Sequence, residues 1–233
     1  MKDLSYIDRN VESVRRRIDA ACAACGRRPE EITLLAAVKY AESDEIDRLF
    51  KCGITTVGEN RVQQLLEHYE SAGLDRFDVH FIGSLQTNKV KYLTSRVTLV
   101  ESVDSLRLAA ELDRQAKKAG IVTDVLCEIN SGREENKTGV FPEAAEEFCA
   151  QLVEFSSIRL RGFMTMAPNC QNKDDYRKFF GETYRLALDI WRKNLHNIEE
   201  GPILSMGMSH SFEQAILEGA NVVRVGRLLF EKN

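Results

Sequence analysis

The sequence predicts an α/β protein that folds as one (β/α)8 barrel across residues 1–233, with an additional helix before the first strand. Eight short apolar runs alternate with segments of helical period, as in a parallel barrel. The runs are continuous in Val, Ile and Leu, which suits parallel strands buried on both faces. A length of 233 residues is one that such barrels commonly fill as a single domain. An open doubly wound sheet is the alternative, but the turn "VKYAES" after the first strand lacks the glycines that this fold uses to bind phosphate.

The additional helix is predicted from the spacing of its apolar residues. They recur at steps of four and three and form one stripe, made of Ile7, Val11, Val14, Ile18, Cys22 and Cys25. Gly26 is expected to end the helix, and Pro29 lies beyond it. The C-x-x-C spacing of the two cysteines would also suit a redox or metal site, but the chain has no second such pair and no histidine nearby. We therefore expect both thiols to pack in the buried face of the helix.

The first four strands are short runs of β-branched and aliphatic residues, expected at residues 32–39, 55–58, 79–83 and 97–101. Each is followed by a segment of helical period, at residues 44–52, 60–71, 87–92 and 104–119. Asp104 can cap the last of these helices and Gly120 can stop it.

The last four strands are expected at residues 122–130, 158–164, 202–205 and 221–225, with helices at residues 142–154, 173–194 and 211–218. Ser211 with Gln214 fits a capping box at the start of the final helix. Because the strands of a parallel barrel all point the same way, the polar and Gly-rich stretches that follow them gather at one mouth. Functional groups of this fold lie at that mouth.

Composition restricts the classes of function. The net charge of −4 gives no basic field for a phosphate backbone, so we do not expect nucleic acid as a partner. No stretch approaches the roughly 20 apolar residues that span a bilayer. The N-terminal residues "MKDLSYIDRNVESVRRR" are too charged for a secretory signal, and the six scattered cysteines are typical of reduced thiols. We expect a cytoplasmic protein, and a monomer, because no long exposed apolar stripe stands out.

The stretches after strands seven and eight predict a phosphate site, since phosphate often lies in these two loops of a (β/α)8 barrel. "ILSMGMSHSFEQAI" supplies a helix start and, before it, Ser205, Gly207 and Ser209. "VVRVGR" supplies Arg224, Gly226 and Arg227, of which the first two share a strand face. A capped helix or a strand-end glycine would explain either motif alone. Their joint occurrence at the two expected strand ends favours a phosphate site.

Lys39 ends the first apolar run, "EITLLAAVKY". Lysine is costly to bury without a partner, and taken alone this residue indicates a side chain that extends its amine to solvent at the rim. An amine and a phosphate site at one mouth together match pyridoxal 5′-phosphate (PLP), whose aldehyde condenses with a lysine amine. Partial burial at an apolar strand end favours the neutral amine that this condensation needs.

Several stretches make the sequence similar to a known family: "LLAAVKY", "VGENRVQQL", "HFIGSLQTNK", "RGFMTMAP" and "LSMGMSHSFEQAI" with "GANVVRVG". They resemble, in the same order and over nearly the whole chain, the PLP homeostasis proteins of the YggS/PROSC type. The resemblance implies a fold-type-III barrel similar to the N-terminal domain of alanine racemase, with PLP as a Schiff base on Lys39. It also implies a phosphate in the loops at residues 205–209 and 226–227, a pyridine nitrogen that faces Arg224, and Asn60 near the cofactor.

The function that this resemblance implies is non-enzymatic: the protein would hold PLP and supply it to apoenzymes. The alternative is a PLP-dependent amino-acid racemase, which needs a second acid/base on the ring face opposite the lysine. In alanine racemase that group is a tyrosine of a further β domain, which we expect this chain to lack because it ends soon after the last strand. Tyr40 neighbours Lys39 but should point to the opposite face. A third class, a protein whose partners recognise its PLP occupancy, has no docking motif to support it.

The sequence departs from the family pattern at a few positions. Ser84 replaces a histidine or proline, Ser211 replaces an aspartate, and Arg227 replaces a small hydroxyl residue. The last change removes a hydroxyl contact to phosphate, although the backbone N–H remains and the guanidinium can compensate. Lys137, in the charged stretch "SGREENKTG", is a candidate for binding a second aldehyde or contacting a recipient enzyme, and a solvated lysine is the simpler explanation.

Overall fold

The computed structural model describes residues 2–194 and 201–232, and its centre is a closed barrel of eight parallel strands. The strands follow one another in chain order, and the last pairs with the first. They are β1 Thr33–Ala37, β2 Thr56–Glu59, β3 Asp78–Phe81, β4 Leu99–Val103, β5 Thr123–Ile129, β6 Ile158–Thr165, β7 Ile203–Met208 and β8 Val222–Val225. The prediction of a (β/α)8 barrel is confirmed.

The helices surround the barrel between these strands. The α-helices are α1 Ser5–Cys25, α2 Ser43–Lys51, α3 Val62–Ser71, α4 Leu106–Ala119, α5 Ala145–Leu152, α6 Asp175–Asn194, α7 Phe212–Leu217 and α8 Arg227–Phe230. Shorter 3₁₀ helices lie at Pro29–Glu31, Leu74–Arg76, Thr87–Tyr92 and Pro142–Ala144. The predicted helix at residues 87–92 therefore forms with the tighter 3₁₀ geometry.

Helix α1 is the additional helix that the apolar stripe predicts, and it packs beside the end of the chain. Asn10 Nδ2 donates to the carbonyl oxygens of Leu229 and Glu231 at 3.2 Å and 2.9 Å. Cys22 is buried and Cys25 is half-buried, and both thiols are free. Gly26 ends the helix in the left-handed conformation, as expected of a glycine at this position.

Two predicted helix caps are wrong, although Ser211 does precede α7 as predicted. Ser105, not Asp104, precedes α4, and its hydroxyl oxygen accepts from the backbone N–H of Leu108 at 3.4 Å. The capping box of Ser211 does not form, because its hydroxyl oxygen accepts from the N–H of Met208 at 3.2 Å. Serine and aspartate side chains bond to whichever backbone group the turn brings nearest, and residue spacing alone does not determine that turn.

The barrel interior changes from apolar to polar towards the carboxyl ends of the strands. Leu99, Leu126, Ile203 and Val222 belong to two apolar clusters that lie apart from the main core. Side chains along a strand alternate between its faces, so the residues two positions later also face inwards. Those residues are polar: Glu101, Glu128, Ser205 and Arg224. The register of the strands thus builds a polar layer inside the barrel, on the side where functional groups are expected.

Candidate functional site

Arg224 of β8 lies inside the barrel and is only 4% exposed. Its Nη1 donates to the carbonyl oxygen of Ser205 at 2.6 Å and to the Ser205 hydroxyl at 2.7 Å. Its Nη2 donates to the carbonyl oxygen of Thr165 at 2.8 Å. A guanidinium has five N–H groups, so two remain beyond these three contacts with described residues.

Glu101 and His80 extend this contact across the barrel. The Ser205 hydroxyl donates to Glu101 Oε2 at 2.6 Å, and the other carboxylate oxygen lies 2.7 Å from His80 Nδ1. Glu101 is fully buried and His80 is 5% exposed. The four side chains of Arg224, Ser205, Glu101 and His80, which we call the interior network, form one continuous hydrogen-bonded chain. They come from β8, β7, β4 and β3.

The charges of the interior network stabilise one another. Burial alone would raise the pKa of Glu101, but the hydrogen bond with His80, the positive charge of Arg224 and the Ser205 hydroxyl together lower it below its ordinary value. Burial would lower the pKa of His80, but Asp78 and Glu101 raise it to about 9. Asp78 is 3.6 Å from His80 and half-exposed, so Glu101 is the nearer and better shielded partner. Near pH 7 the network therefore holds two cations and one carboxylate.

A second buried carboxylate, Glu128 of β5, faces the same interior. Burial raises its pKa, which the hydrogen bond from Thr138 at 2.8 Å and the charge of Arg224 only partly oppose. Burial also lowers the pKa of Arg224, and Glu101 and Glu128 counter this effect. The guanidinium stays charged because its ordinary pKa lies far above neutrality.

The loops after β7 and β8 meet, as the phosphate prediction requires. Ser209 Oγ accepts from the N–H of Gly226 at 3.4 Å. Arg227 Nη1 and His210 Nε2 are 3.0 Å apart at the exposed edge of the same loops. A hydroxyl, a backbone N–H and a guanidinium are thus grouped at the carboxyl ends of two neighbouring strands.

The two glycines of these loops have different structural roles. A Cβ on Gly226 would lie 3.1 Å from the carbonyl oxygen of Ala37, so the residue permits close contact between β8 and β1. A Cβ on Gly207 would lie 2.6 Å from Ala215 Cβ, and its φ is +86°. Gly207 is therefore required where α7 packs against β7.

Lys39 lies two residues beyond the end of β1, which is shorter than the predicted strand. Its side chain is half-buried, and Nζ is 5.0 Å from the ring centroid of Tyr40. The carbonyl oxygen of Lys39 accepts a hydrogen bond from Gln64 of α3. Because β1 pairs with β8, the Lys39 turn lies beside the Gly226 loop, not across the barrel from it.

Asn60 follows β2 at the same mouth, and its position leaves an acceptor free. Its side-chain oxygen Oδ1 is buried and has no hydrogen-bond partner among the described residues. A buried amide oxygen without a partner is costly, so this atom is suited to a ligand that donates to it. The neighbouring Glu59 is bonded through one oxygen to His68 Nδ1 at 2.5 Å.

Sequence analysis proposed neither Glu101 nor His80 as a residue of the PLP site. A usable signal was present, because Glu101 stands two positions after Leu99 within one apolar run and must then share its inward face. Within residues 2–194 and 201–232 no three His, Cys, Asp or Glu side chains are grouped to hold a metal ion. In the same ranges no helix has both the length and the apolar character to cross a membrane. Lys137 is paired with Glu134 Oε2.

The chain is similar to known proteins over nearly its whole length. The family model described as the N-terminal domain of alanine racemase matches residues 3–233. A pyridoxal phosphate homeostasis protein of Aquifex aeolicus (strain VF5) is 43% identical over 220 residues, which cover 94% of this chain and 95% of the relative. The protein of the same name from Escherichia coli (strain K12) is 33% identical over 236 residues, covering 99% and 97%. The structure of PipY from Synechococcus elongatus PCC7942 with PLP bound has a TM-score of 0.82 and 26% identity, covering 97% of this chain and 100% of PipY.

Proposed function

The chain belongs to the family of pyridoxal phosphate homeostasis proteins, built on the barrel of the alanine racemase N-terminal domain, and from this premise we propose that Lys39 is its covalent anchor for PLP. The protein binds PLP and serves PLP homeostasis without catalysing a reaction of its own. The observation that carries the placement of the site is the pairing of β1 with β8, which sets the Lys39 turn beside the loop of Gly226.

PLP supplies an aldehyde that condenses with a primary amine and a ring that withdraws electrons from it. The amine must be unprotonated to attack. No carboxylate among the described residues forms an ion pair with Lys39 Nζ, which is 5.0 Å from the ring centroid of Tyr40. No ion pair therefore has to be broken before Lys39 can react, in contrast to Lys137, which pairs with Glu134.

The phosphate is proposed to lie against Ser209, Gly226 and Arg227. The Ser209 hydroxyl and the Gly226 N–H are already adjacent, and their mutual hydrogen bond of 3.4 Å is long, so both are available to phosphate oxygens. Arg227 adds a charged donor at the edge of the loops. The Ser205 hydroxyl donates its proton to Glu101, so it has none left for a phosphate oxygen. We therefore propose Ser205 only as a partner of Arg224 and not as a phosphate ligand. Gly207 contributes by allowing α7 to pack beneath this loop.

Arg224 is proposed to face the ring nitrogen. It lies two residues before Gly226 on the same strand face, which corresponds to about 6–7 Å of strand length. Two of its N–H groups are free of described partners, and a guanidinium can donate but cannot give up its proton at neutral pH. Arg224 thus keeps the ring nitrogen unprotonated and the ring a poor electron sink, which suits a protein that holds PLP. Asn60 Oδ1 would accept from the cofactor at the end of β2, on the other side of the Lys39 turn from β8.

The racemase alternative lacks a supporting observation. Tyr40, the tyrosine next to Lys39, is 77% exposed and its ring centroid is 5.0 Å from Lys39 Nζ; the expected opposite orientation is wrong because β1 ends at Ala37, before these two residues. The curated relatives cited above are named homeostasis proteins. We further propose that PLP-dependent apoenzymes receive the cofactor, that the protein acts in the cytoplasm, and that it is a monomer.

The anchor is tested by loading the protein with PLP, reducing with borohydride and locating the pyridoxyl group by mass spectrometry. We expect a yellow protein whose colour is lost on reduction, and a label on Lys39 alone. The variant K39A should lose the label. A matched control is K91A, because Lys91 also precedes a tyrosine and its Nζ is 5.0 Å from the ring of Tyr92. Retention of the full absorbance and label by K39A would show that the anchor lies elsewhere.

A further inference from the structure

The interior network contains two charged groups, Glu101 and His80, that the proposed contact between Arg224 and PLP does not use. The Glu101 carboxylate is fully buried and is 3.9 Å from Arg224 Nη1, too far for a direct hydrogen bond. The Ser205 hydroxyl bridges the two groups, since it accepts from Arg224 at 2.7 Å and donates to Glu101 at 2.6 Å.

The bridge fixes the direction of the hydroxyl. An ionised carboxylate can only accept hydrogen bonds, so Ser205 must donate its proton to Glu101 and present a lone pair to Arg224. One edge of the guanidinium is thereby attached to Ser205, while a second contact reaches the carbonyl oxygen of Thr165 at 2.8 Å. The remaining two N–H groups then have a defined direction.

His80 keeps Glu101 from forming a direct hydrogen bond with the arginine. It holds Oε1 of the carboxylate at 2.7 Å on the far side from Ser205. Charged partners in a buried site attract strongly, and a released carboxylate would move towards Arg224 and occupy the free N–H groups. His80 and Ser205 together hold the carboxylate at the end of the hydrogen-bonded chain.

We propose that Glu101 and His80 are positioning residues that orient the Arg224 guanidinium towards the ring nitrogen of bound PLP. The proposal rests on the proposed function, because it needs PLP at the mouth of the barrel. Neither residue touches the cofactor; they act through Ser205 and Arg224. Removal of the carboxylate frees the hydroxyl to rotate and takes away the countercharge of the guanidinium, so the contact with the ring nitrogen weakens.

The test compares two ligands: PLP and its carbocyclic analogue, in which C–H replaces the ring nitrogen. Their dissociation constants are measured by fluorescence titration for wild type, E101Q and S205A. We expect both variants to lose about tenfold in affinity for PLP, as for the loss of one charge-assisted hydrogen bond, and less than twofold for the analogue. A merely structural role would weaken both ligands equally, and that outcome would overturn the proposal, as would unchanged affinity for PLP.

Two controls separate this test from failures of folding and of the proposed function. E45Q also removes a buried carboxylate, but Glu45 lies on α2 and accepts from the hydroxyl of Tyr6, outside the barrel interior. It should bind both ligands as wild type does. S205A removes the bridging hydroxyl but keeps the negative charge of Glu101. It therefore serves as the second test if E101Q fails to fold. Borohydride labelling of Lys39 at saturating PLP should persist in every variant, and its absence from wild type would reject the proposed function instead.

Discussion

Raising the pH from 6 to 9.5 is expected to remove about 3 kcal/mol of stabilisation that protonated His80 provides through Asp78 and Glu101. The pKa of His80 is about 9 in the folded protein against an ordinary value of 6.5. Each tenfold difference in proton affinity corresponds to about 1.4 kcal/mol, and the difference of about 2.5 units gives about 3 kcal/mol. His80 is nearly fully buried, so solvent screens this interaction little.

The sign follows from the direction of the shift. A histidine whose pKa is raised on folding stabilises the protein fully below its unfolded pKa, and this contribution is lost as the pH rises through the folded pKa. The stabilisation is therefore complete below about pH 6.5 and absent above about pH 9. The pKa of Glu101 is lowered, so its own contribution is constant across this window.

The assay is urea denaturation at several pH values, followed by circular dichroism, for wild type and the double variant H80Q/E101Q. The double variant is the reference because a single substitution would leave an unpaired buried charge whose own titration would distort the comparison. Cysteines and other groups that titrate above pH 8 are common to both proteins and cancel. The difference in unfolding free energy should fall by about 3 kcal/mol between pH 6 and 9.5. A difference that stays constant, or that grows with pH, would refute the assignment of a protonated His80.

Two further predictions concern the loops after β7 and β8. G207A should destabilise the fold by about 2–4 kcal/mol in urea denaturation, because its Cβ would lie 2.6 Å from Ala215 Cβ at a φ of +86°. G26A, where φ is +69° and no atom lies within 4 Å, should cost only about 1 kcal/mol, and equal costs would contradict the packing role. R227T should weaken PLP binding several-fold but leave binding of pyridoxal, which has no phosphate, unchanged. A loss of affinity for both ligands, or for neither, would exclude Arg227 from the phosphate site.

The barrel was predictable from the sequence. An apolar run shows which short segment is buried, and a segment of helical period shows where the next helix lies. All eight strands were therefore located, with ends displaced by a few residues. β1, for example, ends at Ala37, whereas the apolar run continues to Val38. Strand ends depend on pairing with neighbours, which apolar character alone does not report.

The loops were predictable in part. The stretches after β7 and β8 are adjacent, as barrel topology requires, and Ser209 meets Gly226 there. The role of Gly207 was not predictable, because its close contacts come from α7. The Lys39 turn lies beside these loops and not opposite them, a consequence of the pairing that closes the barrel between β1 and β8.

The sequence by itself thus determined the fold class and the two loops that meet at one mouth, because each is encoded in residues that are close together in the chain. Only the tertiary structure decided which buried charges meet. Ser205 and Glu101 are 104 residues apart, and His80 and Glu101 are 21 apart, yet both pairs are hydrogen-bonded. Such contacts depend on the register of four strands around a closed barrel, and an error of one residue in any strand would turn its side chain to the other face.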